Sequence, residues 1–265
     1  GGPGEDGSLQ AMFDLAGISY TGPTQRGAAI GMDKLAFSGT METAGIPSLP
    51  LHLVTDDLTL EEPGPFIIKP RFGGSSIGIE VVEDLATAKA LVKTQPLLRS
   101  GAVAQRYLSD AVDLNISVRT YPNTTLSAVE RPLRPEDGGI YSYADKYLTG
   151  PEGMASAPRE LPADLPPNIE GELRTIADQV VQLVMVRSVA RIDFLWNADG
   201  LWVNEINTIP GSLSWYFWSH EGVPFARLLT DLIQEATESP GARFQTDGAD
   251  GTALRDVGAI SHKLA

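Results

Sequence analysis

Apolar residues recur every three to four positions in five stretches of the chain, and this spacing predicts five amphipathic helices. Each stretch has a polar residue before it or a glycine or proline near its end, as expected of a helix that stops. The stretches are SLQAMFDLAG, with Ser8 as N-cap and Gly17 as stop, then the range 33–44, and then EDLATAKALVKT, IEGELRTIADQVVQLVMV and PFARLLTDLIQEA.

Short runs rich in β-branched and aromatic residues lie between these helices and predict strands. The runs are PFIIKP, IEVV, AVAQRYL, VDLNISVRTY, TTLSAVE, SVARIDFLW and LWVNEIN, the last two joined by the turn NADG. The glycine-rich RFGGSSIG predicts a loop, and the range 131–167 predicts a lid or a disordered segment. From residue 238 onward the chain is polar and rich in turn residues, which predicts a weakly ordered tail. The mixture indicates an α/β protein built from α+β subdomains.

Length, charge and cysteine content exclude several classes of function. A chain of 265 residues holds one large or two moderate domains. Its net charge of −14 argues against nucleic acid or an anionic membrane as partner, because phosphate binding needs a positive field. Cysteine is absent, which excludes disulfides and thiol nucleophiles. No apolar run approaches the roughly 18 residues of a membrane span, so we expect a cytoplasmic protein.

The predicted C-terminal hairpin carries polar side chains at alternating positions. Side chains on a strand alternate between its faces, so Arg191 and Asp193 share one face, and so do Glu205 and Asn207. If the hairpin pairs in register, one cation and three oxygen donors converge beside apolar neighbours. Carboxylate and amide oxygens are the ligands that magnesium prefers. The alternative is a solvated polar face with an incidental ion pair.

A second group of residues is suited to phosphate. Lys69 ends a strand and precedes the loop 73–78, whose glycines and serines offer backbone and hydroxyl donors. The order differs from a Walker A loop, because the lysine comes before the glycines. Lys34 in the motif MDK, and Lys146 with Tyr147 in YADKY, add cations and a phenol. Each has an ordinary alternative, such as a flexible hairpin or a surface lysine, but together they favour phosphoryl transfer.

The ordered motifs of the chain resemble those of the D-alanine–D-alanine ligases of the ATP-grasp superfamily. The series is GEDGSLQ, AGISYTG, MDK, AGIP, IIKP with GGSSIG, YADKYL, ARIDF and EINTIPG, and it spans residues 4 to 236. The resemblance implies an ATP-grasp fold that holds the nucleotide between two α+β subdomains. It predicts a remnant of an N-terminal domain at 1–30, a central subdomain at 31–110, a catalytic subdomain at 111–240 and a tail at 241–265.

The resemblance also implies a role for each residue of the site. ATP and two magnesium ions are the expected cofactors, and amino acids the expected substrates. The family usually has an acidic residue where this chain has Gln105. The implied set is Lys34, Lys69, Ser76 and Lys146 near the phosphates, Gln105, Tyr107, Leu108 and Asp113 around adenosine, Asp193, Glu205 and Asn207 as metal ligands, and Ser75, Tyr147, Arg191 and Gly211 at the reacting groups.

The implied reaction joins two D-alanines through an acylphosphate, for peptidoglycan precursors. This chain differs from the family at two places that affect this implied reaction. Family members have a further N-terminal portion, with a glutamate for the first amino acid's amine and a surface for dimerisation; this chain begins at GGPGEDG. After Gly211, family members have a serine and a following backbone amide that hold the carboxylate of the second D-alanine; this chain has Tyr216 and Phe217 at those places. A relative that joins a different amino acid pair, and an ATP-binding module without turnover, are the alternatives.

Overall fold

The computed structural model describes residues 2–133 and 158–238, in which the strands form one four-stranded and one five-stranded sheet. Short 3-10 turns lie at Pro96–Leu98 and Gly211–Ser214. The helices are α1 (Ser8–Ala16), α2 (Gln25–Met32), α3 (Lys34–Thr43), α4 (Leu85–Thr94), α5 (Pro167–Val184), α6 (Trp215–His220) and α7 (Phe225–Glu238). The strands are β1 (His52–Leu53), β2 (Phe66–Pro70), β3 (Glu80–Val82), β4 (Ala102–Arg106), β5 (Val112–Arg119), β6 (Thr125–Pro132), β7 (Arg159–Glu160), β8 (Val189–Asn197) and β9 (Gly200–Asn207).

The N-terminal helices differ from the sequence prediction in two details. The N-cap of α1 is Gly7 rather than Ser8, because the Asp6 carboxylate already accepts a hydrogen bond from the Ser8 amide at 2.8 Å. Helix α2 was not predicted. Two of its eight residues are glycines, but Thr24 caps it and Gly31 lets it approach the end of β9: a Cβ on that glycine would lie 2.8 Å from a methyl of Thr208 and 3.3 Å from a methyl of Ile206.

The four-stranded sheet has the order β1-β4-β2-β3, and all its pairs are antiparallel. Helix α4 covers it, and Ala88 packs against Phe66, Ile68 and Val82 in a small buried core. Asp84 caps α4 by accepting a hydrogen bond from the Thr87 amide at 2.7 Å. The predicted glycine loop joins β2 to β3, and Lys69 lies near the end of β2 that leads into this loop.

The five-stranded sheet has the order β7-β6-β5-β8-β9 and is also antiparallel. The amphipathic helix α5 packs on it through a row of buried residues from Leu173 to Val184. Helix α3, which falls in the predicted 31–110 subdomain, contributes Phe37 and Met41 to this same core. Helices α6 and α7 pack on the other face around Trp218. The division of the chain into four predicted segments stays a prediction.

The arrangement leaves a cleft between the two sheets. Strands β2 and β4 form one wall, and β5, β6, β8 and β9 form the other. In the described part of the chain, no helix has the length and apolar surface needed to cross a bilayer. The predicted tail lies outside the described residues except for the end of α7.

Candidate active site

A cavity of about 140 Å³ occupies the cleft between the sheets, and most of the residues predicted for the site line it. A smaller cavity of about 40 Å³ adjoins it and is lined by Asn207 together with Lys34 and Glu205. Ser75 and Gly211 lie outside the lining of the larger cavity, and Lys146 and Tyr147 lie outside the described residues. The predicted residues that line the larger cavity are Lys34, Lys69, Ser76, Gln105, Tyr107, Leu108, Asp113, Arg191, Asp193 and Glu205.

The β8–β9 hairpin pairs in the register that the alternation predicted. Arg191 lies opposite Asn207 and Asp193 lies opposite Glu205, so the four side chains share one face. The turn closes with Asn197, whose side-chain oxygen accepts a hydrogen bond from the Asp199 amide at 2.9 Å. The predicted convergence of one cation and three oxygen donors is therefore confirmed, while metal binding by these residues stays a prediction.

A β-bulge in β9 adds a side chain that the alternation did not predict. The register shifts between Asp193 and Phe194, where Glu205 and then Val203 are the partners, so Asn204 is an extra residue. A bulge lets two consecutive residues face the same side. Both Asn204 and Glu205 accordingly line the cavity, although their neighbours on each side are buried in the core.

The chemistry of the donor set fits magnesium. Arg191 donates to both oxygens of Asp193, at 2.6 and 2.7 Å, and Asn207 donates its amide N–H to Asp193 at 3.1 Å. An ionised carboxylate has about four acceptor sites, so these bonds leave capacity for a cation, and Asn207 keeps its amide oxygen as a ligand. Residues 2–133 and 158–238 contain no group of three or more His, Asp or Glu side chains arranged to hold a metal ion. A magnesium site at this position would consist of two carboxylates and one amide.

Arg191 keeps its charge within this buried setting. Burial disfavours the guanidinium charge, but the Asp193 carboxylate outweighs it and raises the pKa of Arg191 well above its ordinary value. The side chain is only 9% exposed, so its field is poorly screened by water. A fixed cation of this kind is suited to stabilising negative charge that develops on a substrate.

Lys34 reaches the cavity from the start of α3. Its ammonium donates to the Gly73 carbonyl at 2.6 Å and lies 3.8 Å from the Glu205 carboxylate. A lysine in the first helical turn opposes the helix dipole, and Asp33, as N-cap, offsets this by accepting from the Leu35 and Ala36 amides. Lys34 therefore connects the glycine loop to the predicted metal face.

The base of the glycine loop is fixed to α3 by an ion pair. Arg71 donates to both oxygens of Asp33, and the Lys34 amide donates to the Arg71 carbonyl at 3.1 Å. Burial opposes ionisation of Asp33, but the bonds from Arg71 and the helix amides lower the pKa of Asp33 below its ordinary value. The sequence analysis did not identify either residue as part of the site, since the pair joins positions 38 apart.

Lys69 stands at the centre of the four-stranded sheet and is buried. Its ammonium donates to Gln105 on β4 at 2.8 Å and to the bulged Asn204 at 3.1 Å. The Gln105 amide nitrogen in turn faces the Leu49 carbonyl at 3.4 Å. The side-chain oxygen of Gln105, a residue predicted to lie around adenosine, thus accepts from Lys69; an amide oxygen has a second lone pair for a ligand.

The residues predicted to surround adenosine lie where β4 ends and β5 begins. Tyr107 and Leu108 follow β4, and the Tyr107 amide donates to the Pro65 carbonyl at 2.9 Å, which fixes this segment. Asp113 lies on β5 opposite Leu195, and both line the cavity. In the glycine loop, Ser75 and Ser76 have φ values of 60° and 58°, a left-handed conformation that turns the chain sharply.

A polar cluster at the other end of the cavity was missed by the sequence analysis. Its centre is Glu130, which is 3% exposed and accepts from Asn115 at 3.0 Å, Arg159 at 2.8 Å and the Tyr216 hydroxyl at 3.2 Å. The one available signal was Asn115, which shares the face of Asp113 by alternation. Glu130 and Tyr216 lie 86 residues apart, so their contact produces no pattern within a short stretch of the sequence.

Tyr216 is held in its protonated form. Burial raises the pKa of Tyr216 and the Glu130 carboxylate raises it further, while the guanidiniums of Arg191 and Arg159 act in the opposite direction. The residue follows a tight turn in which Ser212, Leu213 and Ser214 all have φ near 50°. Non-glycine residues rarely adopt this conformation, so the turn that places Tyr216 carries backbone strain.

Comparison of the sequence with known families gives one consistent result. Residues 41–234 match the family model described as D-ala D-ala ligase C-terminus. The chain is 34% identical over 254 residues to D-alanine–D-alanine ligase of Nocardia farcinica, covering 88% of this chain and 67% of that protein. It is 29% identical to the enzyme of the same name from Thermosipho africanus, covering 90% of this chain and 66% of that protein. The chain thus spans about two thirds of these relatives.

Solved structures agree on the fold. D-alanyl-alanine synthetase A of Vibrio cholerae superposes with a TM-score of 0.74 at 24% identity, covering 89% of this chain and 74% of that one. D-alanine–D-alanine ligase of Bacillus anthracis, in a complex with ATP, superposes with a TM-score of 0.73 at 20% identity, covering 90% and 77%. The predicted ATP-grasp fold is confirmed.

Proposed function

Because the chain belongs to the D-alanine–D-alanine ligase family, we propose that it is an ATP-dependent carboxylate–amine ligase that forms D-alanyl-D-alanine for peptidoglycan precursors. The family supports the reaction class, and the cavity supports the use of a nucleoside triphosphate. Since the chain spans about two thirds of its first relatives, the complete activity is a proposal for this polypeptide.

The observation that carries the proposal is the meeting of cations and carboxylates in one cavity. Lys69 comes from the four-stranded sheet, Asp193 and Glu205 come from the five-stranded sheet, and Lys34 bridges them at 3.8 Å from Glu205. Phosphoryl transfer requires cations at the phosphate oxygens and carboxylates at the accompanying metal. The described residues bring both to one place.

Asp193, Glu205 and Asn207 would hold magnesium through their oxygens. Magnesium, when bound, neutralises charge on the phosphate groups and orients them. The hairpin register fixes the spacing of the three ligands, because they lie on two paired strands rather than on a loop. Arg191 holds Asp193 in place by two hydrogen bonds, so that this carboxylate is oriented before any cation arrives.

The proposed reaction has two steps. In the first, a carboxylate oxygen of one amino acid bonds to the γ-phosphorus of ATP, and the bond from that phosphorus to the bridging oxygen breaks to release ADP. In the second, the amine nitrogen of the other amino acid bonds to the carbonyl carbon, phosphate leaves with the electrons of the C–O bond, and the nitrogen loses its extra proton to water.

Arg191 is the residue that we place at the developing oxyanion of the second step. It lines the cavity beside Asp193, is almost fully buried and keeps a strongly raised pKa. A preorganised donor in a site of low dielectric often contributes the largest single catalytic effect. The resemblance adds the amide of Gly211, in the turn that follows β9, as a second donor, although Gly211 lies outside the lining of the cavity.

A specific observation favours a second candidate, a ligase of the same chemistry for a different amino acid pair. Tyr216 lines the cavity where the resemblance implied a serine, and its hydroxyl donates to Glu130 rather than standing ready for a substrate. A phenyl ring also occupies more volume than a hydroxymethyl group. The acceptor end of the cavity is therefore the part in which this chain departs from its family.

Release of ADP by this chain with magnesium and ATP tests both candidates. The protein is given D-alanine alone and then a panel of D- and L-amino acids, with dipeptide products identified by mass spectrometry. Turnover with D-alanine supports the first candidate, and turnover only with other amino acids supports the second. Nucleotide binding without turnover on any amino acid would overturn the ligase proposal. The cytoplasmic location stays a prediction, and so does a homodimer, which the resemblance implies if the N-terminal portion is present.

A further inference from the structure

Arg159 is a cationic residue of the cavity that the proposed function assigns neither to the nucleotide nor to the metal. It lies in β7, its side chain is 14% exposed, and it lines the cavity together with Tyr216 and Arg191. Its Nη1 donates to Glu130 at 2.8 Å, and its guanidinium carbon lies 4.1 Å above the ring of Tyr216. The residue is thus built into one wall of the site.

The surroundings of Arg159 fix the plane of its guanidinium. The Tyr216 ring packs on one face, and Glu130 holds an edge. Glu130 is itself held by Asn115 and by the Tyr216 hydroxyl, so the whole cluster is cross-linked. A guanidinium has five N–H donors in one plane, and it can serve a second carboxylate while the first holds it in position.

The other polar groups nearby have defined tasks. Arg191 donates to both oxygens of Asp193, Lys69 donates to Gln105 and Asn204, and the Tyr216 hydroxyl donates to Glu130. Arg159 packs on the ring of Tyr216, and both residues line the same cavity as Arg191, the residue placed at the reacting carbonyl.

We propose that Arg159 binds the carboxylate of the acceptor amino acid, with Glu130 and the Tyr216 ring as the residues that position it. This inference rests on the proposed ligase function. An acceptor held by its carboxylate on Arg159 keeps its amine free to approach the carbonyl beside Arg191. Because the guanidinium is fixed and recognises a carboxylate, every acceptor should need a free carboxylate, regardless of the acceptor's side chain.

The experiment compares each acceptor amino acid with its primary amide, which has the same amine and side chain but no charge at the carboxyl end. Charge-assisted hydrogen bonds are the stronger class, so the wild-type protein should show an acceptor KM about 30-fold higher for the amide. Arg159→Met should raise the KM for the amino acid by about the same factor and leave that for the amide nearly unchanged. The KM for ATP should stay the same in both proteins.

Two further variants make the result decisive. Arg159→Lys keeps the charge but loses the planar geometry, so it should restore part of the preference for the free carboxylate. Arg174→Met removes an arginine from the exposed face of α5, where it pairs with Glu170, and should behave as wild type. Arg159→Lys also replaces Arg159→Met as the test if the latter does not fold.

The outcomes separate the two proposals. Equal KM values for amino acid and amide in the wild-type protein, or a rise for both of them in Arg159→Met, would overturn the role of Arg159 while the ligase function stands. A wild-type protein that releases no ADP with any amino acid or amide would overturn the ligase function, and this inference with it. A preference for the free carboxylate that is lost in Arg159→Met supports both.

Discussion

The two sheets that bound the cavity differ in the charge they contribute to it. The four-stranded sheet supplies the ammonium of Lys69 and the neutral amide of Gln105, and carries the glycine loop. The five-stranded sheet supplies an excess of carboxylates, which outnumber its two guanidiniums: the carboxylates are Asp113, Glu130, Asp193 and Glu205, and the guanidiniums are Arg159 and Arg191. Each wall is thus suited to a different part of a metal–nucleotide complex, the phosphates on one side and the divalent cation on the other.

The difference in charge between the two walls indicates how a bound ligand would stabilise the cleft. Described contacts that cross the cleft include the hydrogen bond from Lys69 to Asn204 and the hydrogen bond from Lys34, on α3, to the Gly73 carbonyl of the glycine loop. Phosphate and magnesium placed between the walls would pair with both sets of charges at once. Substitutions on the two walls should therefore give distinguishable defects, one in nucleotide affinity and the other in metal dependence.

The largest effect is expected from the carboxylate wall. Glu205→Gln keeps the shape of the side chain but removes a charged metal ligand, and should lower turnover about 1000-fold, equivalent to about 4 kcal/mol. The measurement is the rate of ADP release as a function of magnesium concentration. Binding of ADP without magnesium, followed by calorimetry, should change little in this variant.

The control for this substitution is Glu42→Gln, which removes an exposed carboxylate at the end of α3. It should leave the rate and the magnesium dependence as in wild type. Turnover within a factor of a few of wild type in Glu205→Gln would show that this residue is no metal ligand.

The cationic wall should give the next largest effect. Lys69→Met removes the buried ammonium and should weaken ADP binding about 10- to 100-fold, the loss expected of a charge-assisted bond to phosphate. Unlike the defect in Glu205→Gln, it should persist when magnesium is omitted. Calorimetric titration with and without the metal provides the measurement.

Lys93→Met is the matched control, because Lys93 is 64% exposed and pairs with Asp56 on the surface of the same subdomain. Its ADP affinity should equal that of wild type. Equal affinities for Lys69→Met and Lys93→Met would contradict the assignment of the four-stranded sheet to the phosphates.

A smaller effect, confined to the acceptor, is expected at Tyr216. Tyr216→Ser removes the ring beside Arg159 and opens volume at that end of the cavity, so the KM for the acceptor should change about 10-fold and larger acceptors should gain relative to small ones. Initial rates with glycine and with D-amino acids of increasing size measure this. A change in the KM for ATP alone would show that Tyr216 lies at the nucleotide instead.

The smallest effect concerns stability. Asp33→Asn weakens the ion pair with Arg71 and the cap of α3, and should lower the free energy of unfolding by about 1 kcal/mol at pH 7. Folding lowers the pKa of Asp33, so its contribution is present above about pH 4 and is lost as the pH falls through the folded-state value.

Urea unfolding of wild type and Asp33→Asn between pH 7 and pH 3 measures this dependence. The difference between the two proteins should shrink at the acidic end, whereas Asp178→Asn, on the exposed face of α5, should match wild type throughout. A difference that stays constant to pH 3 would show that the charge of Asp33 is not what stabilises the fold.

How much the sequence predicts depends on whether a feature is local. The β8–β9 hairpin was predicted correctly, because strand alternation and a turn signal lie within one short stretch. Helix α2 was missed because its stability comes from close packing of glycines against other elements, not from an apolar period. The cluster of Glu130, Arg159 and Tyr216 was missed because its members come from distant parts of the chain.

The bulge at Asn204 has an evolutionary consequence. The strand pairs on either side of Asn204 are in regular register. Removal of Asn204 would therefore leave the other pairs of the hairpin, and the alternation of buried and cavity-facing side chains, intact. A single-codon deletion would then remove one partner of Lys69 without disturbing Glu205. In most strands such a deletion exchanges the core face for the solvent face. At this bulge, insertion or deletion of one codon would add or remove one cavity-lining side chain while the fold is kept.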